Sequence, residues 1–454
     1  MNLPVVKDLK VLVLVLVSLF LFAVQPVNAA DVVFTCAADG IGDQDDMCLW
    51  LHPEDPAKSL IITADKDAWK LFVYNLRGEE LGTYSLPHRP GNIDVVYNFS
   101  FNGRLIDLVG FNTRSVNNAR FGFYMINEAT LELDSLGFPQ TDGWNDELYG
   151  CALYRSPVNQ SFYAFGSDQS SRIQQYHFFD DGNGGIAVEL KRSWQNGSAF
   201  FPTEGMVADH ENGLLYAANE NEGIYVYDAE EDQPTDHIRF LGLDPGKLDD
   251  DVEGVAIYYA ANGSGYLIAS SQGENYFSVF ERAGDNAFVG TFQINGVRDT
   301  DGIDVLSSSL DENFPAGIFA CHNDRLEPQH VELVSWEDIS NDFEENLIID
   351  TTYWNPRLAT TASKDFEFDQ AQLEIYPNPA SSLININFEV KRPARVQCLI
   401  YDANGREIAR LNDQDHIAGK FHLRWESPSA VPQGLVYCKV LIGEQTIVRK
   451  VIII

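Results

Sequence analysis

Phe72–Gly78 reads FVYNLRG, a strand of alternating character that ends on an aromatic and runs straight into a polar turn. The same figure returns as GFYMINE (122–128), QQYHFFDDGNG (174–184), YVYDAEE (225–231), SVFERAGDN (278–286) and VSWED (334–338). Its marker aromatics, Tyr74, Tyr124, Tyr176, Tyr227, Phe280 and Trp336, follow one another at intervals of 50, 52, 51, 53 and 56 residues. A period of roughly 40–50 residues with four short strands per unit is the mark of a β-propeller. Six units predict six blades, with the marker aromatics packed between neighbouring blades and taking no part in chemistry. Helical periodicity is nearly absent, and Val-, Ile-, Tyr- and Phe-rich runs of period two are separated by Gly, Asn and Asp turns. The fold class is therefore all-β, with a six-bladed propeller expected over residues 31–345.

A second periodic feature runs out of phase with the first. Short strands begin on a polar residue, often before glycine: Asp46 in DDMCLWLH, Asn92 and Asp94 in GNIDVVY, Tyr149 in ELYGCALY, Glu204 in TEGMVAD, Glu253 in VEGVAIYY and Asp301 in TDGIDVL. If each is the innermost strand of its blade, six blades aim oxygen donors at one axis. The following glycine lets the backbones crowd together. Unpaired carboxylates in such a ring repel and raise one another's pKa, so they need protons, basic partners or a metal. Few basic residues fall near these strand starts, chiefly Lys66, Arg89 and Arg114. An all-oxygen donor set without convergent His or Cys favours Ca²⁺. Asp45, Asp251, Asp299 and Asp304 surround the same strand starts and extend the expected ligand set, enough for several ions.

The charge points the same way. The 454 residues carry 67 Asp and Glu against 31 Lys and Arg, a net charge of −36. That argues against nucleic acid or an anionic membrane as a partner and suits a protein working among cations. Lys7 and Lys10 precede the apolar run Val11–Val24, and Val27-Asn28-Ala29 offers a cleavage site, so 1–29 is read as a signal peptide. No other stretch is long and apolar enough to span a bilayer, and the mature chain is expected to be an exported monomer. Export permits disulfides. Of six cysteines, Cys36–Cys48 and Cys398–Cys438 are plausible local pairs, while Cys151 and Cys321 sit in apolar strands and are expected as buried thiols. Residues 346–372 are polar and weakly patterned and read as a linker, and 373–454 carry the alternating strands of a separate small β-sandwich.

DDMCLWLHPEDPAKSLIITADKD (45–67), RPGNIDVVYNF (89–99), ELYGCALYRS (147–156), TEGMVAD (203–209), DVEGVAIYYAANGSGYLIASSQGENYFSVFER (251–282) and DTDGIDVL (299–306) closely resemble, in order, segments of the β-propeller phytases. That family removes phosphate from myo-inositol hexakisphosphate (phytate), commonly as its calcium salt, with Ca²⁺ as cofactor. The resemblance implies phosphate binding by Lys66 in ADKD and Arg114 in NTRS. It places Tyr149 and Glu204 at the cleavage site, with Glu220 in ANENEG as another active-site acid. It implies Ca²⁺ binding at or beside Asp46, Asp251, Glu253, Asp299, Asp301 and Asp304. The chemistry is consistent: Ca²⁺ can neutralise phosphate oxygens and supply a bound water for in-line attack, with Glu204 and Glu220 as ligands or proton acceptors and Tyr149 positioning water or phosphate. No covalent nucleophile is needed.

Two positions depart from the family. In GSDQSSRIQQY, Gln169 stands where a phosphate-binding lysine is usual, and Arg172 is the nearby candidate to replace it. His322-Asn323 replaces a Gln-Asp pair, which implies one weaker calcium site; His322 is expected to be a neutral residue at the surface or behind the ligands. YPNPASSLININF (376–388), VQCLIYDANGRE (396–407) and GLVYCKVLIGEQTIVRKV (434–451) resemble the sorting domain of type IX secretion, implying that machinery as a partner and a secreted or surface location. The competing readings are a single-calcium propeller lactonase or organophosphate hydrolase, a non-catalytic binding propeller and, for the C-terminal unit, an Ig-like carbohydrate-binding or spacer module.

Overall fold

A computed structural model describes residues 29–115, 118–144, 146–325, 327–358, 373–380, 383–390, 394–402, 406–416, 419–426, 434–442 and 445–453. The expected signal peptide and the later part of the expected linker, 359–372, lie outside the described residues.

Six sheets of four antiparallel strands follow one another along the chain. Blades one to five begin with the inner strands Asp46–Trp50, Pro90–Phe101, Leu148–Arg155, Thr203–Asp209 and Val252–Tyr259, and each then adds three strands outward in sequence order. Blade six begins with Ile303–Leu306, continues with Ile318–Asn323 and His330–Ser335, and takes its outermost strand from Val32–Cys36 near the start of the chain. Each inner strand packs against the next, and the sixth against the first, so the ring is closed. The second periodic feature therefore does mark the innermost strand of every blade.

Inner strands are apolar on both faces because both are covered: Asp46–Trp50 and Val252–Tyr259 are buried throughout. The marker aromatics are all buried, and several reach back to the preceding blade. Tyr176 meets Phe121 edge-on, Tyr227 lies against Trp194, and Trp336 stacks on Tyr258 with centroids 4.3 Å apart. All six cysteines are buried free thiols. Neither expected disulfide is formed: Cys36 lies in the outermost strand of blade six and Cys48 in the innermost of blade one, and the sulfurs of Cys398 and Cys438 face each other at 3.9 Å.

The polar stretch after blade six is not loose where it begins. The hydroxyls of Tyr266 and Tyr258 accept from the amides of Ile348 and Asp350 at 2.9 and 3.0 Å. Trp354 stacks on Tyr259 of blade five (centroids 5.1 Å) and meets Tyr97 of blade two edge-on (6.3 Å). Arg357 then pairs with Asp107, donates to the Leu51 carbonyl and lies over the Tyr97 ring. Residues 346–358 thus form a strap across the channel mouth opposite the strand starts. Its polar texture reads as linker because it is held by backbone amides and single aromatic contacts rather than by a periodic apolar face.

The C-terminal unit has a three-stranded sheet (Leu373–Tyr376, Leu383–Val390, Gly419–Glu426) and a four-stranded one (Ala394–Asp402, Glu407–His416, Gly434–Ile442, Gln445–Ile453). Ile384, Ile386, Phe388, Val396, Cys398, Ile400, Val436, Cys438 and Val440 fill its core.

Trp354 joins opposite blades, so Trp354→Ala should cost about 2 kcal/mol, below the 3–5 of a fully buried tryptophan, and lower the urea midpoint of unfolding. An unchanged midpoint would show that the strap is not a tie.

Candidate active site

The site begins with a backbone irregularity repeated from blade to blade. Between Pro90 and Ile93, Leu148 and Cys151, Thr203 and Met206, and Val252 and Val255, three steps on the inner strand oppose two on its partner. These are β-bulges, which release a residue from the ladder and re-aim its side chain. The released residues include Asn92, Tyr149, Glu204 and Glu253. A β-carbon on Gly150, Gly205 or Gly254 would stand 2.2, 1.5 or 2.4 Å from the carbonyl oxygen of Glu204, Glu253 or Asp301 on the next blade, so only glycine fits.

Two cations meet on one carboxylate at this mouth. Lys66, just past the strand Leu60–Asp65, contacts Asp45 and also lies 3.0 Å from Asp43 and 3.7 Å from Asp301. Arg114 lies 3.0 Å from the other oxygen of Asp45 and contacts Glu204. Its guanidinium sits over the Tyr149 ring, 4.4 Å from the centroid. Asn92 donates to Glu204 at 3.1 Å and to the Tyr149 carbonyl at 2.9 Å with its amide nitrogen turned inward. Gln272 donates to Asp301.

Beside this group, Glu204, Glu220 and Glu253 offer oxygens that all lie within 4.8 Å of one another, and all three residues are buried. Burial first, then Glu204 and Asp251, pushes the Glu220 carboxyl up to about 8. Burial, Glu204 and Glu220 raise Glu253 well above the carboxylate range, and burial, Asp45 and Glu253 do the same to Asp301. Burial also raises Glu204, against the pull of Arg114. Asp45 goes the other way: burial works against its charge, but Arg114 and Lys66 together hold it well below the usual range. One Glu220 oxygen is buried without a hydrogen-bond partner. Crowded, under-partnered oxygens with no nitrogen or sulfur among them fit a hard divalent cation, and the residues that would hold it are Glu204, Glu220 and Glu253, with Asp301 adjoining.

Other expected site residues lie elsewhere. Asp46 accepts from the Ile93 amide (2.9 Å) and Asp304 from the Leu49 amide (2.8 Å), each on the next inner strand around the ring. Asp94 makes the same tie to Leu153 at 2.7 Å. Burial raises Asp94 and Asp304 to about 7. Asp251 is half-buried beside Glu220, and Asp299 is exposed on the rim, where its amide donates to Asn275. Arg172 is 3.3 Å from Asp168 and lies over the Trp144 ring, with Nε and Nη2 left without hydrogen bonds. Gln169 turns to Glu147 at 3.5 Å.

His322 is only 1% exposed, so it is not at the surface; it stands 3.5 Å from both Asp43 and Asp301. Asp43 and Gln272 were not among the expected site residues. Asp43 could have been found as the first acid of the run Asp43-Gln44-Asp45-Asp46, whereas nothing in the sequence singles out Gln272.

Residues 13–361 match the family model described as Phytase, and 374–454 match that of the Secretion system C-terminal sorting domain. The chain is 36% identical over 317 residues to a 3-phytase of Bacillus subtilis (strain 168), covering 67% of this chain and 82% of the relative. Among solved structures, BBS1N in complex with ARL6DN aligns over 68% of this chain and 97% of its own at 10% identity and a TM-score of 0.39. The Dos1 propeller aligns over 67% and 70% at 15% identity and a TM-score of 0.37. Both likenesses are too loose to bear on the chemistry. The sorting domain marks the protein for export, to the cell surface or beyond. Among the described residues no helix is long and apolar enough to cross a membrane.

The raised carboxyls make stability depend on pH. A carboxyl raised by folding contributes stability that is complete below its ordinary pKa and is lost as pH climbs through the folded value, about 8 for Glu220. In a chelator the melting midpoint should therefore fall between about pH 5 and pH 8. Millimolar Ca²⁺, which binds the ionised forms, should restore it, most at the highest pH. A calcium gain that is absent or independent of pH, measured by calorimetry, would count against a cation site here.

Proposed function

Because the chain belongs to the phytase family, we propose that it is an exported phytase that releases orthophosphate from phytate, free or as its calcium salt, with several Ca²⁺ ions as cofactor. The observation that carries this reading is the pairing of Lys66 and Arg114 on Asp45 beside the cluster Glu204, Glu220 and Glu253. A site for an anionic ester needs fixed cations for the phosphoryl oxygens and carboxylates to load further ones. A propeller that only bound a partner would need neither.

Lys66 and Arg114 bind the phosphoryl group by charge-assisted hydrogen bonds that strengthen as its oxygens gain charge. Asp45 holds both cations in place when substrate is absent. Tyr149 fixes the plane of the guanidinium and walls the phosphate pocket. Glu204, Glu220 and Glu253 would hold calcium, with Asp301 adjoining and Asp251 and Asp299 supplying rim ligands. Asp46 and Asp304, tied to backbone amides, support the ring beneath. Bound calcium supplies neutralisation of phosphate charge and a lowered pKa for water. Glu220, when ionised, is a strong base among the acids and accepts the proton that the attacking water loses. Arg172 takes a second phosphate in place of the lysine that Gln169 replaces, exchanging its pairing with Asp168 for the phosphoryl oxygens.

Catalysis belongs to the propeller over 31–345 with the strap of the linker region behind it. The sandwich 373–454 directs export through the type IX machinery. The active form is a monomer, since all of these groups come from one chain.

Purified protein should release phosphate from phytate at millimolar Ca²⁺ and lose that activity in excess chelator. No release with calcium present would end the proposal. Glu204→Gln should lower turnover at least 100-fold, comparable to loss of one transition-state contact, while circular dichroism stays unchanged. Near-normal turnover would remove Glu204 from the reaction.

A further inference from the structure

Phe200 is the most exposed large apolar side chain among the described residues, at 91%. Leaving a phenyl ring in water forgoes the favourable burial of its apolar surface, and a mobile loop could fold such a ring away. This loop is not free to do so. Asn219 donates from below to the carbonyls of Asn196, Ser198 and Phe201, at 3.2, 3.2 and 3.1 Å. Ser171 donates to the Phe201 carbonyl at 2.7 Å, Glu222 accepts from the Ser198 amide at 2.8 Å, and the Glu220 amide donates to Pro202 at 3.1 Å.

These anchors also locate the ring. Residues 196–202 connect blade three to blade four on the face that carries the site, and Glu204 follows directly. The loop is bonded to Ser171, the residue before Arg172, and to the amide of Glu220. Phe200 therefore stands on a fixed platform tied on one side to the residue before Arg172 and on the other to the backbone of Glu220 in the carboxylate cluster. The rest of this rim carries Arg89, Glu147, Asp251 and Asp299, and besides Phe201 its other large exposed ring is Trp69, half as exposed as Phe200 and on blade one past Lys66.

The myo-inositol ring has five equatorial substituents and one axial, so one of its faces presents three axial C–H bonds and is apolar even when every oxygen bears phosphate. Lys66, Arg114 and Arg172 can hold phosphates but do nothing for that face. We infer that Phe200 is a specificity-determining contact on which the carbon ring of the substrate rests while its phosphates reach the site. The inference rests on the reading of the site as one for inositol phosphates and names the group that selects for the ring. Because the platform is ordered beforehand, the contact costs little loop entropy on binding.

An aromatic contact of this kind is worth about 0.5–1.5 kcal/mol, or about two- to tenfold in affinity. In Phe200→Ala, KM for phytate and the inhibition constant of the non-hydrolysable myo-inositol hexasulfate should both rise by about that factor. The kcat, and the KM for glycerol 2-phosphate, which has no ring, should stay within twofold. Phe200→Trp should restore wild-type values for the ring substrates. Because the side chain is exposed, the alanine variant should fold normally. Unchanged hexasulfate inhibition in Phe200→Ala, or an equal rise in KM for glycerol 2-phosphate, would overturn the inference while leaving phytase activity in place. Wild-type protein inert toward phytate would instead strike the functional reading on which the inference rests.

Discussion

A β-carbon on Gly205 would lie 1.5 Å from the carbonyl oxygen of Glu253, and Gly150 and Gly254 are nearly as confined. This approach of backbone to backbone, repeated around the ring, sets the width of the channel mouth. It brings the side chain before each glycine to within reach of its neighbours, and the bulge at the same place turns that side chain out of the ladder. The three-glutamate cluster and the cations on Asp45 are consequences. If the inner strands were farther apart, the carboxylates would be separately solvated acids with ordinary pKa values.

The acids around the channel divide by depth. Near the mouth, Asp45, Glu204, Glu253 and Asp301 from the inner-strand starts, and Glu220 from just past the end of the second strand of blade four, face one another and the two cations. Deeper, Asp46, Asp94 and Asp304 each accept a hydrogen bond from an amide of the next inner strand around the ring. The upper group is held by side chains or, at one Glu220 oxygen, by no partner, and the lower group is satisfied by backbone. That difference separates acids free to meet a ligand from acids that tie the inner strands together, though all of them are Asp or Glu near the channel.

The blade count, the inner strands and the role of the glycines were legible because they are periodic: the aromatic of each third strand and the donor-glycine pair of each first strand recur every 50 residues or so. The same period placed Tyr149, Glu204 and Glu253 at the channel mouth, whereas Lys66 and Arg114 were singled out by the resemblance to the phytases. What lacks a period was not legible. The tie of Asp304 to the Leu49 amide was not legible because sequence does not show how far down a strand a side chain lies. His322 looked peripheral because its burial between Asp43 and Asp301 depends on two remote loops. The strap was hidden because Trp354 and Arg357 make isolated contacts with blades one, two and five.

The outermost strand of blade six comes from the opposite end of the propeller sequence, and its pairing is among the most remote in the chain: Thr35 donates to Glu332 across 297 positions. Loop-closure entropy must be met in full before that contact is gained. A chain emerging N-terminus first therefore carries Val32–Cys36 as an unpaired edge until the last blade is out. The first five blades are each made of consecutive strands, but the ring cannot lock part-way: it closes only when the final blade arrives to take up Val32–Cys36.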